Sequence, residues 1–154
     1  MNSFYSKEEL TNLKFKKIGS NVLISKKASF YNIEQIEIGN NVRIDDFVLL
    51  SGNITLGNYI HIAAYSAIYG KAGFIMEDFT GLSPRCTILT TSDDFSGDYL
   101  ISPMTLANHN KIIEGKVLIK KYSQIGAGSI ILPNCIIEEG TAIGAMSLVN
   151  KNTE

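Results

Sequence analysis

The 154-residue sequence has little of several features that mark common classes of protein. It contains two cysteines, two histidines and no tryptophan, so it has neither a disulfide framework nor a zinc pattern. It has 14 Lys and Arg residues against 15 Asp and Glu residues, and thus a formal net charge of −1. This charge balance predicts no basic surface for nucleic acid or an anionic membrane. Residues 1–10 lack the apolar core of a signal peptide, and the longest uncharged stretch, 47–70, is interrupted by Gly and Asn. We therefore predict a cytoplasmic protein without a bound metal, a nucleic-acid partner or a membrane partner.

A six-residue hydrophobic period runs through most of the sequence. The large aliphatic residues or Met at every sixth position are Ile38, Ile44, Leu50, Leu56, Ile62, Ile68, then Met76, Leu82, Ile88, then Ile113, Ile119, Ile125, Ile131, Ile137, Ile143 and Val149. A helix would need apolar residues at spacings of three and four, and a flat strand would need strict alternation. The period instead predicts an all-β parallel solenoid, in which three hexads form one triangular coil and coils stack about 4.8 Å apart. A second, small inward column contains Cys86 and Cys135, which are predicted to fill the core, and a two-residue insertion near 71–73 shifts the phase.

Two segments depart from the period and divide the chain. Residues 1–15 are predicted to form an N-terminal cap, because Ser6 and Glu9 have the spacing of a helix capping box. Residues 16–154 then form the solenoid. Within it, residues 89–112 form a long excursion loop that carries too many apolar side chains to be a disordered tether.

The repeats themselves resemble a known family. The segments I-G-N-N-V-R-I-D-D-F-V (38–48), I-G-A-G-S-I-I-L-P-N-C-I-I (125–137) and I-G-A-M-S-L-V-N-K-N (143–152) resemble the hexapeptide-repeat acyltransferases. This resemblance implies a left-handed parallel β-helix, which is an exception to the usual right-handed crossover of parallel strands. It also implies transfer of an acyl group from coenzyme A, in clefts between the chains of a homotrimer.

A narrower likeness concerns the acceptor. The segments F-Y-S-K-E-E-L (4–10), V-R-I-D-D-F (42–47), H-I-A-A-Y-S-A-I-Y-G (61–70) and T-S-D-D-F-S-G-D-Y-L (91–100) are similar to nucleotide-linked amino-sugar acetyltransferases of the dTDP-4-amino-4,6-dideoxyglucose type. The likeness implies acetyl-CoA as cosubstrate, a nucleotide-linked amino sugar as acceptor, and a role in surface-polysaccharide synthesis such as that of O-antigen. The alternatives are an O-acetyltransferase that acts on a glycan or small hydroxyl compound, and a non-catalytic β-helix scaffold.

The resemblance places coenzyme A on the late coils. Matching motif to motif assigns this role to Gly126 and Ala127 in I-G-A-G-S, and to Ala145, Asn150 and Lys151 in I-G-A-M-S-L-V-N-K. Small residues would let the pantetheine arm lie against the coil wall, and Lys151 would meet a coenzyme phosphate as a point charge. The alternative is that the Gly and Ala residues only satisfy the turn.

The family's usual catalytic histidine is missing. The run L-S-P-R-C-T-I-L-T-T-S-D (82–93) aligns with the family pattern, and Asp93 falls where that histidine is expected. An amine is already a strong nucleophile, and a carboxylate can attract and orient its ammonium form, so the exchange favours N-acetylation over O-acetylation. Of the two histidines, His61 precedes the inward Ile62 and is predicted to point outward from the coil, whereas His109 is predicted to be solvated.

We therefore predict that His61 and one carboxylate of the loop share the catalytic work. An imidazole can accept a proton near neutral pH, and His61 stands on the rigid coil. Adjacent carboxylates cannot both face one substrate, and we expect Asp94 to serve ahead of Asp93. The further candidates for acceptor binding are Ser92 in the same loop and the outward-facing Tyr65 and Tyr69.

Overall fold

Residues 3–106 and 108–154 are described by the computed structural model of the chain, and short parallel strands dominate it. A helix, α1 (Lys7–Asn12), precedes the strands, which we number β1 to β18 in chain order. One sheet, called face I, consists of β2 (Leu23–Ile24), β5 (Val42–Ile44), β7 (Ile60–Ile62), β9 (Gly81–Leu82), β14 (Gln124–Ile125) and β17 (Ala142–Ile143).

The stacked triangular coils form a three-sided solenoid, which we call the prism. A second sheet forms its other two faces. Its members are β1 (Lys17–Ile18), β3 (Ser29–Tyr31), β4 (Ile36–Ile38), β6 (Leu49–Leu56), β8 (Ala67–Met76), β10 (Thr87–Leu89), β13 (Val117–Ile119), β15 (Ile130–Ile131), β16 (Ile136–Ile137) and β18 (Leu148–Val149). A 3₁₀ turn (Ile33–Gln35) separates β3 from β4. Strand β6 pairs with β3 through its first half and with β4 through its second half, so it bends around a corner without a break.

Strand register confirms the predicted coil of three hexads. Ile44 pairs with Ile62, 18 residues later. Gly52 also pairs with a residue 18 positions later, Gly70, but Ile54 pairs with Phe74, because two residues are inserted between these pairs. The predicted phase shift near residues 71–73 is therefore confirmed.

The core follows the predicted six-residue step, with one error. The large inward residues from Ile38 to Ile88 and from Ile119 to Ile137 are buried along the prism axis. Ile113 was expected in the same column but is 43% exposed. It belongs to β12 (Ile112–Glu114), which pairs antiparallel with β11 (Thr91–Asp93), so the excursion is a hairpin that ends later than its apolar pattern suggests. The coil resumes only at Val117.

The N-terminal segment closes one end of the prism. The expected capping box is present: the Glu9 N–H donates to Ser6 Oγ at 3.2 Å, and the Ser6 N–H donates to Glu9 Oε2 at 2.7 Å. Leu10 on α1 is buried against the first coil. The predicted core positions of Cys86 and Cys135 are also confirmed, since both are buried free thiols. Within the described residues, no helix has the length and apolar character needed to cross a membrane.

The turns that follow five of the six face-I strands, β5, β7, β9, β14 and β17, stack into a single edge, which we call corner A. It consists of residues 45–48, 63–66, 83–86, 126–129 and 144–147. The third residue of each turn has positive φ, and these residues are Phe47, Tyr65, Arg85, Gly128 and Met146. Because the same turn recurs in these five coils, side chains at equivalent positions stack on one another along corner A.

Candidate functional site

A depression of the described surface lies on face I. It has a volume of about 590 Å³ and is lined by Asn41, His61, Ser83, Gln124 and their neighbours, which belong to four successive coils. Register places Arg43, His61, Gly81 and Gln124 in one outward column, one coil apart. Gly81 leaves this column open above His61, and a Cβ atom at Gly81 would lie 2.4 Å from Gln124 Oε1. The Gln124 amide therefore occupies the place of the missing side chain and bounds the depression from the next coil.

His61 is held by a carboxylate from the coil below. Its Nε2 atom lies 2.7 Å from Asp45 Oδ2, and Arg43 Nε donates to Asp45 Oδ1, also at 2.7 Å. The side chain of Asp45 is 18% exposed, whereas that of His61 is 53% exposed and reaches solvent. Burial alone would raise the pKa of Asp45, but the hydrogen bonds from His61 and Arg43 outweigh it and lower that pKa below its ordinary value. Asp45 is therefore ionised at neutral pH.

A more apolar groove follows the upper part of corner A. Ala127 and Ala145 line it together with Tyr65, Arg85 and Met146, and its volume is about 470 Å³. The preceding glycine, Gly126, is required by the packing of the coils, because its Cβ would lie 2.5 Å from the backbone nitrogen of Ala145. The small residues thus leave a smooth wall along two successive coils.

The other two residues predicted to bind coenzyme A lie elsewhere. Asn150 and Lys151 line a separate depression of about 460 Å³, formed by residues 148–154 at the end of the last coil. The structure thus groups Gly126, Ala127 and Ala145 on corner A and leaves Asn150 and Lys151 beyond them.

The tyrosines expected near His61 are also separated. Tyr65 stacks on Phe47 with ring centroids 5.0 Å apart, and the Arg85 guanidinium lies 5.8 Å from the centre of the Tyr65 ring. Tyr69 lies on β8 of the other sheet, and its carbonyl accepts a hydrogen bond from Thr90 Oγ1 at the start of the excursion. The structure therefore places Tyr65 beside the corner A groove and Tyr69 at the base of the loop.

The excursion loop places its two adjacent aspartates, Asp93 and Asp94, in different surroundings. Ser92 and Asp93 line a depression of about 210 Å³ together with Pro103 and Ile112. Asp94 is buried instead, at 7% exposure. Its carboxylate accepts a charged hydrogen bond from Lys111 Nζ at 2.8 Å and a second one from the Ser96 N–H at 2.8 Å. These bonds lower the pKa of Asp94 to about 2, so this carboxylate is fully engaged in holding the loop.

The structure does not bring His61 and the loop carboxylates together within one chain. The depression that contains His61 and the one that contains Asp93 share no lining residue among those described. His109 is exposed in the loop, as expected, and its N–H donates to the Leu106 carbonyl.

Sequence reasoning missed three groups around His61. Ser83 and Gln124 line its depression, and Asp45 contacts the His61 imidazole directly. The six-residue register would have shown the stacking of Gln124 above His61, since both are outward positions two coils apart on the same face. The direction of the Asp45 carboxylate depends on the turn geometry, which the period does not encode.

Two known acyltransferases are similar to this chain. No protein-family model matches the sequence. The chain is 45% identical over 149 residues to the dTDP-4-amino-4,6-dideoxy-D-glucose acyltransferase of Escherichia coli. The aligned residues cover 95% of this chain and 78% of that protein. The structure also matches AntD, an N-acyltransferase from Bacillus cereus, solved with dTDP and 3-hydroxybutyryl-CoA. The TM-score is 0.96 at 54% identity, over 99% of this chain and 81% of AntD.

A more distant match concerns the fold. A hexapeptide-repeat acetyltransferase from Vibrio cholerae, solved with acetyl coenzyme A, gives a TM-score of 0.65 at 14% identity, over 95% of this chain and 67% of that chain. The parallel solenoid is thus the hexapeptide-repeat left-handed β-helix that the sequence predicted.

Proposed function

The chain belongs to the hexapeptide-repeat N-acyltransferases of the dTDP-4-amino-4,6-dideoxyglucose type, and we propose that it acetylates the amino group of a dTDP-linked 4-amino sugar. The observation that carries the proposal is the similarity to AntD, of which a serine variant was solved with both dTDP-4-amino-4,6-dideoxyglucose and coenzyme A. Acetyl-CoA is the proposed donor. The proposed setting is the cytoplasm, in the synthesis of a surface polysaccharide such as O-antigen.

The groove on corner A is the proposed site of the pantetheine arm. Ala127 and Ala145 offer a wall without protruding side chains, and Gly126 lets the two coils approach closely. The thioester would then lie at the lower end of this groove, next to the Pro84 and Ser83 turn that borders the His61 depression. We keep Asn150 and Lys151 as the groups that meet the outer, phosphorylated end of the coenzyme.

The proposed reaction is a direct attack on the thioester. The amine nitrogen adds to the thioester carbonyl carbon, and the proton that it loses passes to His61. The tetrahedral intermediate then breaks its C–S bond, and the coenzyme thiolate leaves and takes the proton back from His61. A carboxylate from the loop attracts the ammonium form of the acceptor and orients it, and the ammonium releases its first proton to solvent before the neutral amine attacks.

Of the two loop carboxylates, we assign this role to Asp93. Asp93 faces a depression together with Ser92, whereas Asp94 is buried against Lys111. Structures of AntD include variants of one serine and of one aspartate ten positions later. In this chain, Ser83 and Asp93 are the one Ser and Asp pair with that spacing.

We propose a homotrimer in which the site is shared between chains. The His61 depression and the Asp93 depression lie on different parts of the chain, so a complete site needs the loop of one copy against face I of another. The loop also carries strongly exposed apolar side chains, Phe95, Met104 and Leu106, that such a contact would cover. Cyclic symmetry then produces three equivalent sites.

The release of free coenzyme A thiol tests the proposal. With acetyl-CoA and dTDP-4-amino-4,6-dideoxyglucose, we expect turnover and an N-acetylated sugar in the product. The matched nucleotide sugar with a hydroxyl group in place of the amine should give at most a trace. Preference for the hydroxyl sugar would indicate the O-acetyltransferase instead. If no acceptor releases thiol and saturating acetyl-CoA leaves the melting temperature unchanged, the scaffold alternative stands.

A further inference from the structure

The Asp45 carboxylate lies between the Arg43 guanidinium, which donates to it, and the imidazole of His61, the proposed base. Arg43 Nε donates to its Oδ1, and His61 Nε2 contacts its Oδ2, both at 2.7 Å. The Asp45 N–H also donates to the Ile62 carbonyl at 3.0 Å, which ties the backbone of Asp45 to the strand that carries His61. Both carboxylate oxygens and the backbone of Asp45 are therefore committed, and its position relative to the imidazole is set by the coil.

This arrangement dictates which nitrogen of His61 carries the hydrogen. An ionised carboxylate can only accept hydrogen bonds, so the short contact at Nε2 requires a hydrogen on that atom. In neutral His61 the hydrogen is then on Nε2, and Nδ1 carries the lone pair. Because Asp45 occupies Nε2, Nδ1 is the ring atom that remains available to accept a proton from a molecule in the face-I depression.

We propose that Asp45 is a positioning residue for acyl transfer, which holds His61 in the Nε2–H tautomer and leaves Nδ1 as the proton-accepting atom. This inference rests on the proposed function, since it refines the role of His61 in that reaction. Asp45 touches neither substrate. It acts by orienting the imidazole and by stabilising the imidazolium that forms when the amine loses its proton.

The variant Asp45→Asn tests the tautomer directly, because Arg43 controls how the introduced amide turns. Arg43 can only donate, so the carbonyl oxygen of the amide should face Arg43 and its NH₂ group should face His61. His61 must then accept at Nε2 and carry its hydrogen on Nδ1, the atom that has to receive the substrate proton. We expect kcat to fall by at least tenfold while the KM for acetyl-CoA changes less than twofold, as expected for a wrong tautomer rather than for lost binding.

A second variant separates tautomer control from a structural role. In Arg43→Met with Asp45→Asn, the constraint on the amide is gone, and the introduced side chain can turn its oxygen to His61. The double variant should therefore recover at least threefold in kcat over Asp45→Asn alone. A residue that only supports the fold would show further loss when a second contact is removed. The single variant Arg43→Met provides the baseline.

The neighbouring aspartate is the matched control. Asp46 is one position away, but its carboxylate binds Lys27 and Ser25 rather than His61. Asp46→Asn removes a carboxylate from the same turn and should keep kcat within about twofold of the parent. The melting temperature of every variant should also be measured, to show that each compared chain is folded.

Nitrogen-15 NMR of the imidazoles provides a readout that does not need turnover. The chain has two histidines. The variant His109→Gln removes the imidazole signals of residue 109, so the remaining signals belong to His61. At a pH where the ring is neutral, we expect the Nε2–H tautomer in the parent and the Nδ1–H tautomer in Asp45→Asn. Unchanged tautomers together with unchanged kcat in Asp45→Asn would overturn the inference, even if the parent is an active acetyltransferase. An inactive parent with the expected tautomers would count against the proposed function and leave the positioning of His61 by Asp45 in place.

Discussion

Two pairs of adjacent aspartates, Asp45 with Asp46 on the coil and Asp93 with Asp94 on the loop, show how the molecule uses one dipeptide twice. In both pairs the second carboxylate is bound by a lysine at 2.8 Å, Lys27 for Asp46 and Lys111 for Asp94. The first carboxylate of each pair is turned elsewhere, toward His61 or into the loop depression. In each pair, the second carboxylate therefore anchors its segment, and the first is free of that anchor and points to a different group.

The two pairs differ in what fixes them. Asp45 belongs to a turn that recurs along corner A, and its neighbours are set by the strand register. Asp93 belongs to the β11–β12 hairpin, an insertion that interrupts the coil and whose first and last strands pair only with each other. The coil therefore supplies groups at fixed spacings, and the loop supplies a group whose placement depends on its own anchor, Asp94 with Lys111.

Removing the loop should have the largest effect. Ile119 pairs with Met76, 43 residues earlier, where a coil without an insertion spans 18 residues. Deletion of residues 91–115 removes the difference of 25 residues and leaves Ile88 six positions before Ile119. We expect a folded solenoid that still binds acetyl-CoA but no longer acetylates the amino sugar, because each coil depends only on its neighbours. Measurable amino-sugar turnover by the folded deletion would place the acceptor elsewhere.

Replacement of the coil's imidazole should come next. His61→Ala is expected to lower kcat by about 10² to 10⁴, the usual loss when a general base is removed. His109→Ala, which removes an exposed histidine of the loop, should leave the rate within about twofold, as most surface substitutions do. Steady-state kinetics on both variants checks this. A His61→Ala enzyme that keeps more than half of the parent rate would show that positioning of a neutral amine is sufficient.

Substitutions of Asp93 and Asp94 should then have different effects. Asp93→Asn is expected to lower kcat by about tenfold or more, because the ammonium form of the acceptor loses its orienting charge. Asp94→Asn should act on the loop itself, with a smaller loss of kcat and faster proteolysis within residues 95–106. Kinetics and limited proteolysis on the same preparations distinguish the two. Equal kinetic losses without a change in proteolysis would restore Asp94 as the catalytic carboxylate.

The smallest expected effect is the pH dependence of the ion pair between Asp94 and Lys111. The bonds from Lys111 and Ser96 lower the pKa of Asp94 from its ordinary 3.8 to about 2. The stabilisation by this carboxylate is therefore fully present above pH 4 and is lost as the pH falls through about 2. Carbon-13 NMR of the Asp94 carboxyl should show the low midpoint, and Lys111→Met should raise it toward the ordinary value. A midpoint that Lys111→Met does not move would mean that the ion pair does not hold the loop in solution.

The same division explains what the sequence could predict. The inward residues from Ile38 to Ile68 and from Met76 to Ile88 follow a fixed step, so the parallel solenoid, the coil length and the outward direction of His61 could all be predicted from it. The step failed at Ile113, where a hairpin with its own antiparallel pairing replaces the coil. Apolar residues in a hairpin match the period by coincidence, and periodicity cannot show where an insertion ends.

Contacts that depend on side-chain rotamers could not be predicted from the sequence. The sequence could not decide between Asp94 and Asp93, since nothing in it shows that Lys111 returns to Asp94 across the hairpin. The contact of Asp45 with His61 likewise joins two coils through a turn. Both contacts become visible only when register brings distant positions side by side.

The most direct test of the shared site is complementation between two inactive chains. Chains with His61→Ala keep Asp93, and chains with Asp93→Asn keep His61, so a mixed trimer contains some sites with both groups intact. Random mixing of equal amounts should restore about a quarter of the parent rate if each site joins face I of one chain to the loop of another. If the mixture is no more active than the average of its two components, both groups act within one chain, and the shared site is contradicted.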